Sequence, residues 1–120
     1  TKGVVIATLP AKTKLVGAYS DTTEAYTGSN VTGANLVVGI SSENSAQILA
    51  EHDVLSSSVT KGLADGDMGS AMTRATQVQG GYFPSWTGTT DIYATINTLG
   101  ANTDQLSAGS TTFYLVTERF

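Results

Sequence analysis

Stretches that alternate apolar and polar residues with a period of two limit what this chain can fold into. Ile92, Ala94 and Ile96 alternate with Tyr93 and Thr95. Side chains point to opposite faces of a β-strand at successive positions, whereas a helix repeats every 3.6 residues. This segment is therefore predicted to be a strand with one apolar face. No segment of the sequence shows the pattern of a convincing amphipathic helix.

Further runs of the same kind lie along the whole sequence. Residues 4–9, 14–19, 34–41 and 112–118 are rich in β-branched or aromatic residues, and Gly, Asn, Asp or Pro lie at their ends. Their spacing predicts about seven or eight short antiparallel strands. We expect an all-β fold, a single jelly-roll-like β-sandwich that spans residues 1–120.

The composition agrees with a sandwich that has many short loops. The chain of 120 residues contains 19 Thr, 12 Ser and 13 Gly, and only 13% of its residues are charged. Thr suits a pleated, half-buried surface, and Ser and Gly suit turns. Disorder is not expected, because 40% of the residues are hydrophobic and disordered chains combine low hydrophobicity with high charge.

Two segments have a less certain pattern. Residues 46–55 could form one apolar helix face or a short strand and a turn, and we favour a short strand or a single helical turn. Residues 56–75 are interrupted by Gly62, Gly66 and Gly69, and we interpret them as a long excursion over the surface. Long loops in compact domains are often functional, so this segment is a candidate contact region.

Composition and charge argue against several classes of partner. The six basic residues are scattered and the net charge is −4, so no basic stripe is available for nucleic acid. The chain contains no cysteine, which excludes disulfides and zinc sites built on thiolates. No apolar run approaches the ~20 residues of a membrane-spanning helix. We therefore expect neither direct nucleic-acid binding nor a membrane location.

Catalytic motifs are also missing from the sequence. His52 is the only histidine, and Asp53 beside it points to the other face if both lie in a strand. The nucleophile pattern Gly-x-Ser-x-Gly does not occur. We interpret His52 as a surface or turn histidine whose neighbours Glu51 and Asp53 raise its pKa. The expectation is a protein that is not an enzyme, with no catalytic residues.

One short acidic segment resembles part of a calcium loop. Asp65, Gly66 and Asp67 place oxygen ligands at alternate positions, as calcium sites require. The twelfth position of such a loop is Thr76, which lacks the required carboxylate. We interpret the segment as an acidic turn and predict no metal and no cofactor.

The most distinctive group of side chains is aromatic. Tyr82, Phe83 and Trp86 lie within five residues around Pro84. Such a cluster can fill the end of a sandwich, anchor a protein interface, or stack on sugar rings, the last with Tyr93 as a further platform residue. We take Tyr82, Phe83 and Trp86 as the candidate interface and leave the three uses open.

Four stretches in order carry a family pattern. Residues 6–17 read IATLPAKTKLVG, residues 34–40 read ANLVVGI, residues 90–96 read TDIYATI, and residues 106–116 read LSAGSTTFYLV. This series resembles the small all-β virion proteins encoded near the head genes of many tailed phages, described as decoration, cement or minor head proteins. The resemblance covers most of the chain apart from residues 56–80.

The resemblance implies a jelly-roll-like fold and a structural role in the virion. Such a protein would bind the major capsid protein on the capsid exterior, often as a homotrimer, and would stabilise the assembled shell. It brings no catalytic residues. The alternative is a carbohydrate- or receptor-binding β-sandwich module, either at a fibre tip or as a free binding domain.

Overall fold

Two antiparallel sheets make up the part of the chain that the computed structural model describes, which is residues 3–42, 45–55, 59–61, 67–70, 72 and 84–120. These residues contain eight strands, in chain order β1 Val4–Leu9, β2 Thr13–Gly28, β3 Gly33–Gly39, β4 Leu49–Asp53, β5 Val59–Lys61, β6 Ser85–Trp86, β7 Thr90–Leu99 and β8 Leu106–Arg119. The all-β, antiparallel sandwich predicted from the sequence is therefore confirmed. No helix in the described residues is long and apolar enough to cross a membrane.

The first sheet, sheet A, has the strand order β1-β7-β3-β4. Its centre is the pair β3 and β7, which runs in register from Gly33 opposite Leu99 to Gly39 opposite Tyr93. The inner strand β3 is buried on both faces, since Leu36, Val37 and Val38 are all nearly inaccessible. Its near-continuous apolar sequence is the expected signature of such a strand.

The outer face of sheet A is partly covered by the start of the described chain. Thr95, which the alternation places on the outward face, is buried. A Cβ added to Gly3 would lie 2.7 Å from Oγ1 of Thr95, so the backbone at Gly3 lies directly over this side chain. The Gly3 N–H donates to the Ser42 carbonyl at 2.8 Å, which holds the segment in place.

The second sheet, sheet B, is organised around β2. Strand β8 pairs with one edge of β2 from Thr13 opposite Arg119 to Gly28 opposite Leu106. The short strands β5 and β6 share the other edge of β2, at residues 20–22 and 13–14. Sheet B is therefore a long two-stranded ribbon with two short additions on one side.

The core lies between the two sheets. Its main cluster joins buried side chains from both sheets and from two connecting segments, namely Leu9, Leu15, Ala18, Val38, Ile48, Leu49, Met72 and Ile92. A second cluster contains Ala34, Leu36 and Val54, and the partly buried Phe113 packs against both. Each large aliphatic side chain buried in this way contributes about 1.5–3 kcal/mol of hydrophobic stabilisation.

The strands are less uniform in length than the sequence predicts. The sequence pattern predicts a second strand over residues 14–19 only, but β2 continues through Asp21 and Glu24 to Gly28. Register shifts between Thr22 and Glu24, and again before Thr27, let the ribbon absorb the polar segment without ending. Irregularities of this kind bend and twist a strand pair while its pairing persists.

The two uncertain segments also have defined structure where they are described. Residues 49–53 form the strand β4, one of the two alternatives open for residues 46–55. The expected surface excursion at residues 56–75 is wrong in two places. Val59–Lys61 forms β5, and Met72 is buried in the main core. Apolar side chains in an irregular segment can fill a core that strands alone leave incomplete.

Candidate interaction surfaces

The one described member of the predicted aromatic interface contributes to the core. Trp86 lies in β6, where it pairs with Thr13, and its half-buried side chain packs against the main core cluster. Tyr82 and Phe83 lie outside the described residues. Tyr93 lies in sheet A, opposite Val5 of β1, whereas Trp86 lies in sheet B. The structure therefore does not bring these two aromatic rings to a common platform.

His52 is buried, contrary to the expectation of a surface histidine. It lies opposite Leu36 in the β3–β4 pair, on the strand face that contributes to the core. Its Nδ1 lies 3.1 Å from the Ala50 carbonyl, and its Nε2 has no hydrogen-bond partner among the described residues. The neighbouring Asp53 is exposed, and its Oδ1 accepts the Leu55 N–H at 2.8 Å.

The expected rise in the pKa of His52 is also wrong. Burial lowers the pKa below its ordinary value, and the positive charge of Lys61 acts in the same direction. The hydrogen bond to Ala50 and the charges of Asp67 and Asp53 oppose this but do not outweigh it. A buried imidazole with a lowered pKa is neutral at pH 7, since desolvation disfavours its charged form.

No metal-binding cluster of three or more His, Cys, Asp or Glu side chains is found among the described residues. Asp67, from the acidic segment that resembles a calcium loop, lies 3.6 Å from Nζ of Lys61 through its Oδ1. Asp65 and Gly66 lie outside the described residues. The described carboxylate is therefore close to a cation of this chain, which satisfies part of its charge.

An apolar groove of about 360 Å³ opens between the sheets. Side chains from both sheets line it, among them Val4, Ile6, Tyr26, Ile96, Leu106 and Phe113. The Tyr26 hydroxyl lies 2.9 Å from Oγ1 of Thr111, so the polar end of this ring already has a partner. The described lining contains no charged side chain, which favours apolar over charged occupants.

The outer face of sheet B carries exposed apolar side chains along β8. The rings of Tyr19 and Tyr114 stack across the β2–β8 pair, with centroids 4.6 Å apart and an interplanar angle of 14°. Val116 lies opposite Gly17 and is 50% exposed. Aligned apolar side chains on a protein surface are typical of interaction sites when they form a continuous patch.

The outer edge of β8 is the longest unpaired backbone edge in the described structure. Over its 14 residues β8 pairs with β2, and no described strand lies along its other side. The sequence analysis predicted only residues 112–118 of this strand, whereas β8 begins at Leu106. The apolar alternation at Leu106 and Ala108 was the signal for the missing half.

Comparisons with known proteins add no further assignment. A scan against protein-family models, a search of curated proteins and a search of solved structures each returned no match.

Proposed function

We propose that this protein is an accessory structural protein of a tailed-phage particle, a decoration or cement protein that binds the major capsid protein on the outside of the shell. The observation that carries the proposal is the order of the four family-like stretches. In the fold they lie on β1 and β2, on β3, on β7 and on β8. The resemblance therefore concerns the strands that build both sheets rather than one local turn.

Exposed apolar side chains on the sheet edges support a binding role. Val4 and Val5 project from β1, the edge strand of sheet A, with 68% and 46% of their surfaces accessible. On sheet B, Tyr114 and Val116 are also exposed. A small sandwich with apolar surface on both sheets can contact more than one shell subunit, and several weak contacts made together give strong binding.

The homotrimer implied by the resemblance is part of the same proposal. Three copies at one local three-fold position would each contribute the same contacts to the shell. The combined attachment would then exceed that of a single copy without requiring any strong individual contact. The number of copies at each position in a cryo-EM map of the virion tests this part.

The deciding experiment is binding to shells that lack this protein. Shells assembled from the major capsid protein are mixed with the purified protein and sedimented. We expect saturable co-sedimentation and increased resistance of the shells to heat. Failure to co-sediment at every concentration, together with no density for this chain on virions, would refute the proposal.

A matched pair of variants tests the contact surface. Val5→Lys places a charge on the exposed edge of sheet A, and Thr89→Lys adds the same charge at an exposed loop position. We expect Val5→Lys to weaken co-sedimentation at least tenfold and Thr89→Lys to leave it unchanged. Equal binding by both variants would remove β1 from the contact surface.

The sugar-binding alternative gains no support from the described residues. Trp86, its central residue, is half-buried against the core. A sugar platform needs the face of an aromatic ring to be open to the ligand. Binding to the capsid shell is therefore the one function that we propose.

A further inference from the structure

No strand of the described residues pairs with the outer edge of β8, and this edge has the features of a strand that accepts another strand. At about 3.4 Å per residue, its 14 residues extend over more than 40 Å. Leu106–Arg119 contains neither proline nor lysine, and its two charged residues are the last two, Glu118 and Arg119. Natural sheets usually protect an exposed edge with short strands, proline or lysine, because unpaired N–H and C=O groups recruit other strands.

The other edge of the same ribbon is protected. On that side of β2, the short strands β5 and β6 occupy residues 20–22 and 13–14, and the Leu15 N–H donates to the Pro84 carbonyl at 2.9 Å. In sheet A, the edge strand β1 has only six residues and a register shift between Val5 and Ala7. Strand β8 therefore differs from both of these edges in the length of backbone that it leaves unpaired.

One end of β8 is basic. Arg119 lies opposite Thr13, Lys14 lies opposite Glu118, and the Phe120 N–H donates to the Lys12 carbonyl at 2.9 Å. Three basic residues thus lie at or next to this end, and the Oε2 of Glu118 lies 3.9 Å from Nζ of one of them, Lys14.

The opposite end of β8 is acidic. Asp104 is exposed in the 3-10 helix Thr103–Gln105, immediately before the strand. Glu24 lies opposite Ser110, and its Oε1 accepts the Gly109 N–H at 3.0 Å. The strand therefore has opposite charges at its two ends.

If two copies of β8 lie side by side in opposite directions, the basic end of each copy lies beside the acidic end of the other. We propose that two copies of this protein pair through β8 in antiparallel orientation, about a two-fold axis near Thr112, and so join their B sheets into one. With the axis at Thr112, Arg119 of the second copy lies opposite Gln105, next to Asp104. A parallel arrangement would instead place like charges together at both ends.

The contact is isologous, because each copy contributes the same strand to it. Backbone hydrogen bonds supply the attachment in this mode of recognition, and the side chains of alternate residues set the register. The exposed charges favour the antiparallel over the parallel orientation of the two strands but add little affinity, since surface ion pairs contribute only about 0–1 kcal/mol.

This inference goes beyond the proposed function and does not depend on it. Neighbouring three-fold positions on an icosahedral shell are related by local two-fold axes. A two-fold contact through β8 is thus compatible with trimers on a shell, where it would join one trimer to the next. Because the test uses the free protein alone, its failure leaves shell binding unaffected.

The chain has no cysteine, so single cysteines can report the pairing. Ser110→Cys, Thr112→Cys, Tyr114→Cys and Val116→Cys each place a thiol at an exposed position of β8, and Thr89→Cys is the control. Directly opposed residues of an antiparallel pair have Cα atoms about 4.5–5.5 Å apart, within reach of a disulfide. The variants are oxidised mildly, singly and in all pairwise mixtures.

Antiparallel pairing predicts which combinations of variants form covalent dimers. In an antiparallel pair, the numbers of two directly opposed residues always add up to the same value. With the axis at Thr112, Thr112→Cys is therefore expected to cross-link with itself, and Ser110→Cys with Tyr114→Cys. Yields should exceed the Thr89→Cys control at least fivefold. Cross-linking of every variant only with itself, or yields no higher than the control, would overturn the proposal.

A second measurement guards against effects of the thiols. Thr112→Lys places like charges against each other at the proposed axis, whereas Thr89→Lys adds the same charge away from it. By sedimentation velocity, we expect Thr112→Lys to lose the concentration-dependent rise in molar mass that the parent chain and Thr89→Lys retain. A parent chain without such a rise, or a Thr112→Lys variant that keeps it, would contradict the two-fold contact.

Discussion

The rings of Tyr19 and Tyr114 stack across the two strands that form the ribbon of sheet B, with 4.6 Å between their centroids. The two residues are directly opposed in the β2–β8 register, and both rings lie on the outer face of the sheet. This contact links the early and late parts of the sequence at a surface position, where it can be altered without disturbing the core.

Removal of one ring is expected to weaken the ribbon. Tyr114→Ala should lower the free energy of unfolding by about 1 kcal/mol, since aromatic pairs contribute about 0.5–1.5 kcal/mol beyond their buried area. Tyr114→Phe keeps the ring and should be nearly neutral. Urea denaturation of both variants measures the difference, and an equal loss in both would assign the effect to the hydroxyl instead.

Two leucines provide a test of where the core lies. Leu15 is fully buried in the main cluster, whereas Leu99 is 65% exposed at the end of β7. Leu15→Ala should cost about 2–5 kcal/mol because it removes buried methyl groups and leaves a cavity. Leu99→Ala should stay within about 0.5 kcal/mol of the parent, as most surface substitutions do. Thermal or urea unfolding of the two variants gives the comparison.

Two glycines differ in the same way. Gly109 has φ of 140°, and a Cβ added there would overlap the Tyr26 ring, whereas a Cβ on Gly88 meets nothing within 4 Å. Gly109→Ala should therefore destabilise the fold by more than 1 kcal/mol, through both steric overlap and an unfavourable backbone conformation. Gly88→Ala should be neutral or slightly stabilising. Equal stabilities would show that the β8 backbone rearranges freely at Gly109.

The burial of His52 predicts that acid destabilises the fold. Its pKa is lowered in the folded protein, so the unfolded chain binds a proton more readily. The contribution to stability is complete above the unfolded value of about 6.5, declines as the pH falls below it, and levels off below the folded pKa. Unfolding free energies at pH 7.5 and 5.5 should show lower stability at pH 5.5.

His52→Gln provides the control for that pH dependence. The variant removes the titrating ring and should reduce the difference in stability between the two pH values, whatever its effect at pH 7.5. The charged groups that act on His52 are Lys61, Asp67 and Asp53, and all three are present in both proteins. An unchanged pH dependence in His52→Gln would place its origin in another group.

The parts of the fold that were predictable are those where one strand face meets the core. The alternation around Ile92 and the apolar run around Val38 identified β7 and β3, because burial of a face imposes a period of two on the sequence. The polar continuation of β2 had no such pattern. Thr22 is buried there with its hydroxyl 3.0 Å from that of Thr111, a contact visible only once β8 is in place.

The candidate sites were harder to predict for the same reason. The acidic neighbours of His52 suggested a solvated side chain. In β4, however, side chains alternate between the two faces of the sheet, and His52 lies on the face that packs against the core. Trp86 belongs to a cluster that suggested an interface, and its packing against the core depends on a two-residue strand without a recognisable pattern. The burial of His52 and that of Trp86 both depend on contacts with strands distant in the sequence, so neither can be predicted from the neighbouring residues alone.

The pairing of β2 with β8 also determines when the protein can fold. Thr13 is matched with Arg119, and in the other sheet Val4 is matched with Ala94, so both sheets join early residues to late ones. Folding that depends on contacts between residues distant in the sequence is slow, because the chain loses the entropy of loop closure before it gains the energy of those contacts. During synthesis, β1 therefore leaves the ribosome before its partner β7 is made, and the edge of β2 that pairs with β8 stays open until the last strand is made. Their apolar residues are exposed over that interval, when the nascent chain is most open to aggregation or chaperone binding.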